Sequence, residues 1–429
     1  NAIASGPAAA PMAGLFASKR MDVDNVITVD MGGTSFDVSL VTKGAPSLTR
    51  DLKIHENPVG VAAVDVHSIG AGGGSIAWID PGGALMVGPQ SAGAEPGPAA
   101  YNQGGTKPTC TDANLVLGYI NPDFFLGGRR TVDTTLSEKA IKQHIADPLG
   151  LTVPEAAHGI FRIINNNMVD AIRVVSVERG IDPRHYSLVS GGGAGNIHAG
   201  MLGSTLGMKQ VLIPRYSGVF CSFGMIVSDV RHDHLKAFTA NTDKFDLGAV
   251  NEVLADLEKK AVDEMVEEGY PEGEVILKRF ADAKYPAQIH ELTVDVPSDK
   301  VLDESDIKVL ENSFHDLHEQ MFTYSVRESS VDIFHWRVVA YRSVKEPNSQ
   351  IMDLSSDAIE VARKGTRDVY FGDINDYRST QIYDGSSIRH GMVIKGPAVV
   401  EETTTTIVIF PGQNLTVNRF GDFVLNLES

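Results

Sequence analysis

The stretch Asp30-Met31-Gly32-Gly33-Thr34-Ser35-Phe36-Asp37 restricts this chain more than any other. Ahead of its glycines stands Val26-Ile27-Thr28-Val29-Asp30, a β-branched run that reads as a buried strand. Phe36-Asp37-Val38-Ser39-Leu40-Val41 reads as a second strand, so the two form a hairpin. Gly32 and Gly33 let the backbone adopt φ > 0 and approach an anion closely. Thr34 and Ser35 add hydroxyl and N–H donors, and successive N–H groups in such a turn form an anion-binding concavity. Asp30 and Asp37, at the two strand ends, suit Mg2+ or the orientation of a nucleophile. An ordinary hairpin with a Gly-Gly turn satisfies the same residues, and pattern alone leaves both readings open.

A second glycine-rich turn, Gly191-Gly192-Gly193-Ala194-Gly195-Asn196, follows the short strand Ser187–Val189 and precedes a helix expected from about His198. A helix N-terminus carries partial positive charge and free N–H groups, and glycine permits close approach of a flat or anionic group. Tight packing explains the same residues equally well. The third region runs from Asp65 to Ser75. There Gly72 and Gly73 face a nucleotide or shape a reaction chamber, and His67 is a candidate general acid or base beside an equally good structural reading.

Elsewhere the periodicity predicts helices over 7–20, 136–146, 154–179, 248–268 and 304–322. Strands are expected at 210–214, 274–297 and 331–344, and residues 47–55 extend the first sheet. From 365 short strands separated by turn residues give a β-rich tail. A change of texture at Arg231–Lys236 places a boundary there, giving domains 1–230 and 231–429.

Thr111, Asp112 and Asn114 read best as a helix-capping cluster, and Glu178-Arg179 before Gly180 as a helix end with an ion pair. His232/His234 and His315/His318 lack the further ligands of zinc sites and read as surface residues. Cys110 and Cys221 read as buried small residues. Two cysteines make no disulfide framework, so a reducing cytoplasm is the default. No run of 18 apolar residues predicts a membrane span. The formal net charge of −18 disfavours nucleic acid and anionic membranes as partners. It leaves ATP open, since phosphate sites use N–H groups and Mg2+.

Asp-x-Gly-Gly-Thr-x-x-Asp between two strands resembles the phosphate motif of the actin, sugar-kinase and chaperone ATPase superfamily. More narrowly, the chain resembles the hydantoinase A/5-oxoprolinase family. Ser5-Gly6-Pro7, Val29–Val38, Gly70–Trp78, Gly88–Pro98, Thr111–Gly118, Asn121–Gly128 and Ser176–Gly180 carry the likeness, which runs on to Gly412. Relatives commonly have Pro in place of Asn196.

The resemblance implies an α/β fold, a ribonuclease H-like lobe of actin/sugar-kinase type followed by a C-terminal α+β, β-rich domain. It implies an ATP-dependent enzyme that phosphorylates a carbonyl oxygen, with ATP and Mg2+ as cofactors. In that scheme Gly32, Gly33, Thr34 and Ser35 hold phosphates, Asp30 and Asp37 serve Mg2+ or water, and the 191–196 loop binds adenosine. The first expectation is hydrolysis of a cyclic amide such as a hydantoin, a lactam or 5-oxoproline. The second is carboxylation of a ketone, because Phe36 is similar to the carboxylase members. The expected partners are a B-type subunit and a chain supplying a further N-terminal Asp-x-Gly-Gly-Thr lobe. A third expectation, a non-catalytic half-site subunit, follows from that lobe standing elsewhere.

Overall fold

A computed structural model describes residues 5–49, 53–54, 57–58, 63–286, 288–297, 300–342, 344, 347 and 351–427. It divides into two compact units, Asn1–Val227 with Glu346–Ser429, and Ser228–Lys345.

The first unit opens with helix α1 (Ser5–Lys19) and strands β1 (Val26–Met31), β2 (Phe36–Thr42) and β3 (Ala45–Pro46). β1 is covered on both faces: Val26, Ile27, Val29 and Met31 are fully buried and Asp30 alone is half-buried. That is why its sequence is a continuous β-branched run rather than an alternation. β4 (Val66–Ile69) pairs with β2, and β5 (Ser75–Ile79) with β6 (Leu85–Ser91) forms a hairpin inside the glycine- and proline-rich stretch. Leu48–Thr49 pairs with Ala63–Val64 in a separate ribbon, and residues 50–52 and 55 of the expected extension lie outside the described residues.

Three helices follow: α2 (Cys110–Val116), α3 (Thr134–Ile141) and α4 (Val153–Val175). Thr152 and Glu155 form a reciprocal capping box that starts α4, with Pro154 in its first turn. Its buried stripe of Ile160, Ile164, Met168, Ile172 and Val175 packs into the main core. Then come β7 (Ser187–Gly191), α5 (Gly195–Thr205), β8 (Gln210–Ile213) and α6 (Phe220–Val227). α5 starts three residues ahead of the expected His198, so the glycine turn is shared between the end of a strand and the first turn of a helix.

The second unit holds β9 (Val230–Asn241), α7 (Leu247–Glu267), β10 (Ile276–Lys284), β11 (Leu292–Val296), α8 (Glu304–Phe322) and β12 (Asp332–Arg342). Its strand order is β9-β12-β10-β11. Its core gathers the α7 stripe Val250, Leu254, Leu257 and Ala261 with Trp336 and Val338. His315 and His318, expected on the surface, are buried. Both lie on the inner side of α8: His315 Nδ1 is 2.6 Å from the Tyr285 hydroxyl, and His318 Nδ1 donates to the Tyr324 carbonyl at 2.8 Å. His232 and His234 are partly buried and pair with Glu268, the C-cap of α7, and with Glu264 on it.

The tail supplies β13 (Arg363–Phe371), β14 (Asp376–Asp384), β15 (Val393–Lys395), β16 (Ala398–Glu401), β17 (Thr406–Ile409), β18 (Asn414–Val417) and β19 (Phe423–Asn426). These strands belong to the first unit. β19 pairs antiparallel with β8, and the nine-stranded main sheet runs β15-β18-β19-β8-β7-β1-β2-β3, with β4 also on β2. β13-β14-β16-β17 form a separate sheet. Within the main sheet, β3, β2 and β1 are antiparallel while β1, β7 and β8 are parallel. That is the ribonuclease H-like order, and it brings the ends of β1 and β7 side by side, with Asp30 opposite Gly191.

Candidate functional site

Three backbone turns meet where β1 and β7 end. In the first, Gly32 N–H donates to the Ser35 carbonyl and closes the hairpin. The second, Gly72–Gly74, docks on the first: Gly73 N–H donates to Gly32 O at 3.0 Å and Gly74 N–H to Gly33 O. A Cβ on Gly72 would lie 2.5 Å from Thr34 N, so only glycine allows this approach. The third is the 191–195 turn, tied to the first by Ala194 N–H donating to Met31 O at 3.2 Å. Gly192 holds φ +86°, and a Cβ there would lie 2.1 Å from Met31 O and 2.5 Å from Asp30 Oδ1.

Gly32, Gly33, Gly73 and Gly193 line one cavity of about 270 Å³, with the Thr403–Thr405 loop on its wall. Among the described residues the N–H groups of Gly33, Thr34 and Gly193 have no hydrogen-bond partner. Three free backbone donors beside one cavity form a concavity for an anion. Thr34 is exposed and Ser35 half-buried at the turn.

Asp30 and Asp37 stand opposite each other across the β1–β2 pair, on one face of the sheet. Desolvation by burial raises the pKa of both, and the charge of Asp37 raises Asp30 further. Each carboxylate receives one uncharged donor: the Cys221 thiol donates to Asp30 Oδ2 at 2.8 Å, and the Ser68 hydroxyl donates to Asp37 Oδ1. One oxygen of each remains outside these two bonds. Two half-buried carboxylates that repel one another, each with an oxygen to spare, fit a hard divalent cation such as Mg2+.

The other expected residues sit differently. His67 pairs with Val38, one residue out of step with the Asp37–Ser68 pair. The two-residue alternation therefore places it on the sheet face opposite the carboxylates. Gly191 lies beneath the cavity, where a Cβ would run into the Phe220 ring at 2.3 Å. Gly195 and Asn196 are buried in the first turn of α5. Asn196 Nδ2 donates to Ser217 Oγ and Thr405 Oγ1, so its side chain braces the Thr403–Thr405 loop. Thr405 Oγ1 in turn donates to Gly193 O.

Two contributors carry no local sequence signal for this site. Cys221 is one. Glu402, whose pKa burial raises, lines the cavity and is held by Arg215 at 2.6 Å. Thr111 donates from both N–H and Oγ1 to Gly73 O, fixing the second turn. Its neighbour Asp112 does the capping, in a reciprocal box with Thr109, and also accepts from Ala100 N–H and Ser137. Asn114 lines the cavity and reaches the buried His198, with Nδ2 3.3 Å from His198 Nε2. On the far side, Asn165 Nδ2 is 3.1 Å from His198 Nδ1. A neutral imidazole has one donor and one acceptor, so one of these amides must be rotated to present its oxygen. Oδ1 of both asparagines is buried without a partner, and the rotation satisfies one of them. Cys110, 3.6 Å from His198, has its thiol pushed up to about 12 by burial, which makes it a poor nucleophile. Glu178 and Arg179 form a 3-10 turn just beyond α4, ahead of a left-handed Gly180, with Arg179 paired to Asp65.

Among the described residues one other group could ligate a metal, Asp282, Glu291 and His335 of the second unit, where Arg337 already stands 3.6 Å from Asp282. No helix among them is long and apolar enough to cross a membrane.

The strand order, the carboxylate pair at the end of the central hairpin and the glycine-walled cavity define a lobe of the actin and sugar-kinase fold type. The chain belongs to the hydantoinase/oxoprolinase family: the family model matches residues 1–234, and the model of the family's C-terminal domain matches 239–426. It is 39% identical to caprolactamase subunit alpha of Pseudomonas jessenii over 99% of its own length and 61% of that protein. It is 33% identical to the acetophenone carboxylase gamma subunit of Aromatoleum aromaticum, covering 98% and 59%. Two solved structures share its fold, each over 98% of this chain and 61% of the other. They are a nucleotide-free acetone carboxylase (TM-score 0.85, 28% identity) and the ATP-dependent caprolactamase of Pseudomonas jessenii (TM-score 0.83, 37% identity). The chain thus spans about three-fifths of the length of these relatives.

Proposed function

We propose that this chain is the nucleotide-handling part of an ATP-dependent enzyme that phosphorylates the carbonyl oxygen of a cyclic amide, which water then opens. The observation that carries this reading is the pairing of Asp30 and Asp37 at the strand ends that run into the turns whose Gly32, Gly33, Gly73 and Gly193 wall one cavity. The likeness to an ATP-dependent caprolactamase supports it.

An amide oxygen or nitrogen is a poor leaving group, and transfer of the γ-phosphoryl to the oxygen makes the carbonyl carbon open to water. The protein's share is positioning and charge stabilisation. The N–H groups of Gly33, Thr34 and Gly193 hold phosphate oxygens. Bound Mg2+ would neutralise charge on the phosphates, held by Asp30 and Asp37. The Cys221 thiol and the Ser68 hydroxyl orient those two carboxylates. We assign the opposing wall of the nucleotide clamp to a further N-terminal lobe, and completion of the reaction to a B-type subunit. The cytoplasm is the compartment that suits ATP and two free thiols.

A second reading, ATP-dependent carboxylation of a ketone, rests on the fold likeness to acetone carboxylase. Phe36 does not favour it, because its ring is fully buried in the core and touches no substrate space. ATP hydrolysis by the purified complex, measured over a panel of lactams, hydantoins, 5-oxoproline and ketones with and without bicarbonate, separates the two. Stimulation by a cyclic amide without bicarbonate is expected. Turnover that requires bicarbonate and a ketone transfers the assignment to the second reading, and no stimulation by any of them sinks both.

A further inference from the structure

α5 touches two cavities. Its N-terminal turn follows Gly193 at the carboxylate-backed cavity, while Met201 and Ser204 in its second half line another, of about 440 Å³. That second cavity has an apolar floor of Phe371, Phe410 and Met201. At its edge stand His158 and Arg162, one turn apart on α4 and so side by side. Neither has a hydrogen-bond or ion-pair partner among the described residues. By contrast Arg215, which holds the Glu402 of the first cavity, is compensated by that carboxylate. Asp373 also lines this cavity, but it pairs with Arg378, at 3.8 Å. A Cβ at Gly372 would lie 2.4 Å from His158 Nε2, so glycine leaves the imidazole its present place. Burial and the neighbouring Arg162 push His158 down, so near neutral pH it is an uncharged ring with one N–H to donate.

We propose that this cavity is a binding site for a small carboxylate with an apolar body. The carboxylate is taken by Arg162, in the two-pronged geometry that guanidinium offers, with a further hydrogen bond from His158. The apolar body lies on Phe371, Phe410 and Met201. A cationic ligand is disfavoured by the uncompensated guanidinium.

The site reaches the first cavity through α5. Gln413, on its wall, donates to Gly200 O at 3.1 Å and Ser204 Oγ at 3.0 Å, and so grips the middle of the helix whose first turn follows Gly193. A ligand that presses on Met201 or displaces Gln413 acts on that helix.

Calorimetric titration of the full chain with hexanoate, benzoate and hexylamine tests this. Hexanoate and benzoate bind, and hexylamine does not. Arg162→Gln weakens carboxylate binding by about tenfold or more. Arg162 is an exposed position on α4, so that variant folds normally, and its unfolding midpoint checks this. Met201→Phe, which fills the floor without touching the charge, also abolishes binding. The proposal is overturned if none of the three probes binds at millimolar concentration, if hexylamine binds as well as hexanoate, or if Arg162→Gln leaves the affinity unchanged.

Discussion

His198 offers a worked test of the interior beneath the cavity. It is fully buried, stacked 4.9 Å from the Phe161 ring and flanked by two asparagines, with no carboxylate to stabilise a charge. Burial alone lowers its pKa to about 3. A depressed folded pKa means that the unfolded chain takes up a proton which the native state refuses. His198 therefore favours the native state fully above about pH 6.5, and that contribution is lost as pH falls towards about 3. At pH 5 the unfolded imidazole is almost wholly protonated, and the linkage relation gives a loss of about 2 kcal/mol, against about 0.2 at pH 7. The perturbation is His198→Gln, which keeps hydrogen-bonding capacity for Asn114 and Asn165 but does not titrate. Urea unfolding of both proteins at pH 7 and pH 5 gives a double difference from which all other titrating groups cancel. Wild type is expected to lose about 2 kcal/mol more than the variant. Equal losses would refute the neutral buried imidazole. So would a His198 ring that titrates near pH 6.5 by NMR.

Further outcomes follow from the same geometry. Gly192→Ala places a methyl group against Met31 O at positive φ and disrupts the Ala194–Met31 bond, so it should cost about 3 kcal/mol or more. Its neighbour Gly193→Ala meets only Thr404 O at 3.3 Å and should stay within about 1 kcal/mol by urea midpoint while slowing nucleotide turnover. Similar stability losses in the two variants would contradict the packing described. Asp30→Asn should cut ATP turnover by about 100-fold or more without loss of stability at pH 7. Because the folded pKa of Asp30 is raised, its ionised form costs stability at neutral pH and that cost vanishes towards about pH 4. The variant's gain over wild type should shrink in step, and a gain that is constant with pH would speak against the raised pKa. Burial and the Asp30 charge push the Cys221 thiol up, so native Cys221 should react slowly with maleimide at pH 8 and faster in Asp30→Asn. Rapid labelling of the native wild type would show that the Asp30 contact is not kept.

What the sequence revealed of this site, and what it hid, has a physical division. The β1–β2 hairpin was legible because burial on both faces forces a β-branched run and two carboxylates interrupt it. The amphipathic helices were legible because their stripes are long. The turn at 191–196 was only half legible, since glycine demanded by packing and glycine demanded by a ligand look alike in sequence. Gly191 yields to Phe220 and Asn196 to Ser217 and Thr405, while Gly193 faces the cavity. The Cys221–Asp30 contact joins residues 191 positions apart and leaves no local trace. The Thr403–Thr405 wall joins β16 to β17 and meets Gly193 through Thr405, 212 positions away, a meeting that no window of the tail encodes. His315 and His318 did carry a signal. Leu310, Phe314 and His318 fall on one helical stripe, and such a stripe indicates a core position whatever the polarity of its last member.

The electrostatics of the cavity decide how a phosphate can enter it. No lysine or arginine lines it; of the guanidinium groups that touch its wall residues, Arg215 is tied to Glu402 and Arg130 lies over the Tyr101 ring. The anionic groups nearby are Asp30, Asp37 and Glu402, and burial raises the pKa of each. Three backbone N–H groups carry only partial charges, so alone they cannot offset two phosphates pressed against ionised carboxylates in a half-buried setting. A divalent cation reverses the balance. It turns the mutual repulsion of Asp30 and Asp37 into shared attraction, and it leaves the glycine N–H groups to set orientation. The chain's excess of acidic residues is then no obstacle to a nucleotide, provided that the nucleotide arrives as its metal complex. It also follows why Gly72 and Gly192 cannot be traded for basic side chains. A Cβ at Gly72 or Gly192 would displace the backbone that carries the donors and the carboxylate that faces them.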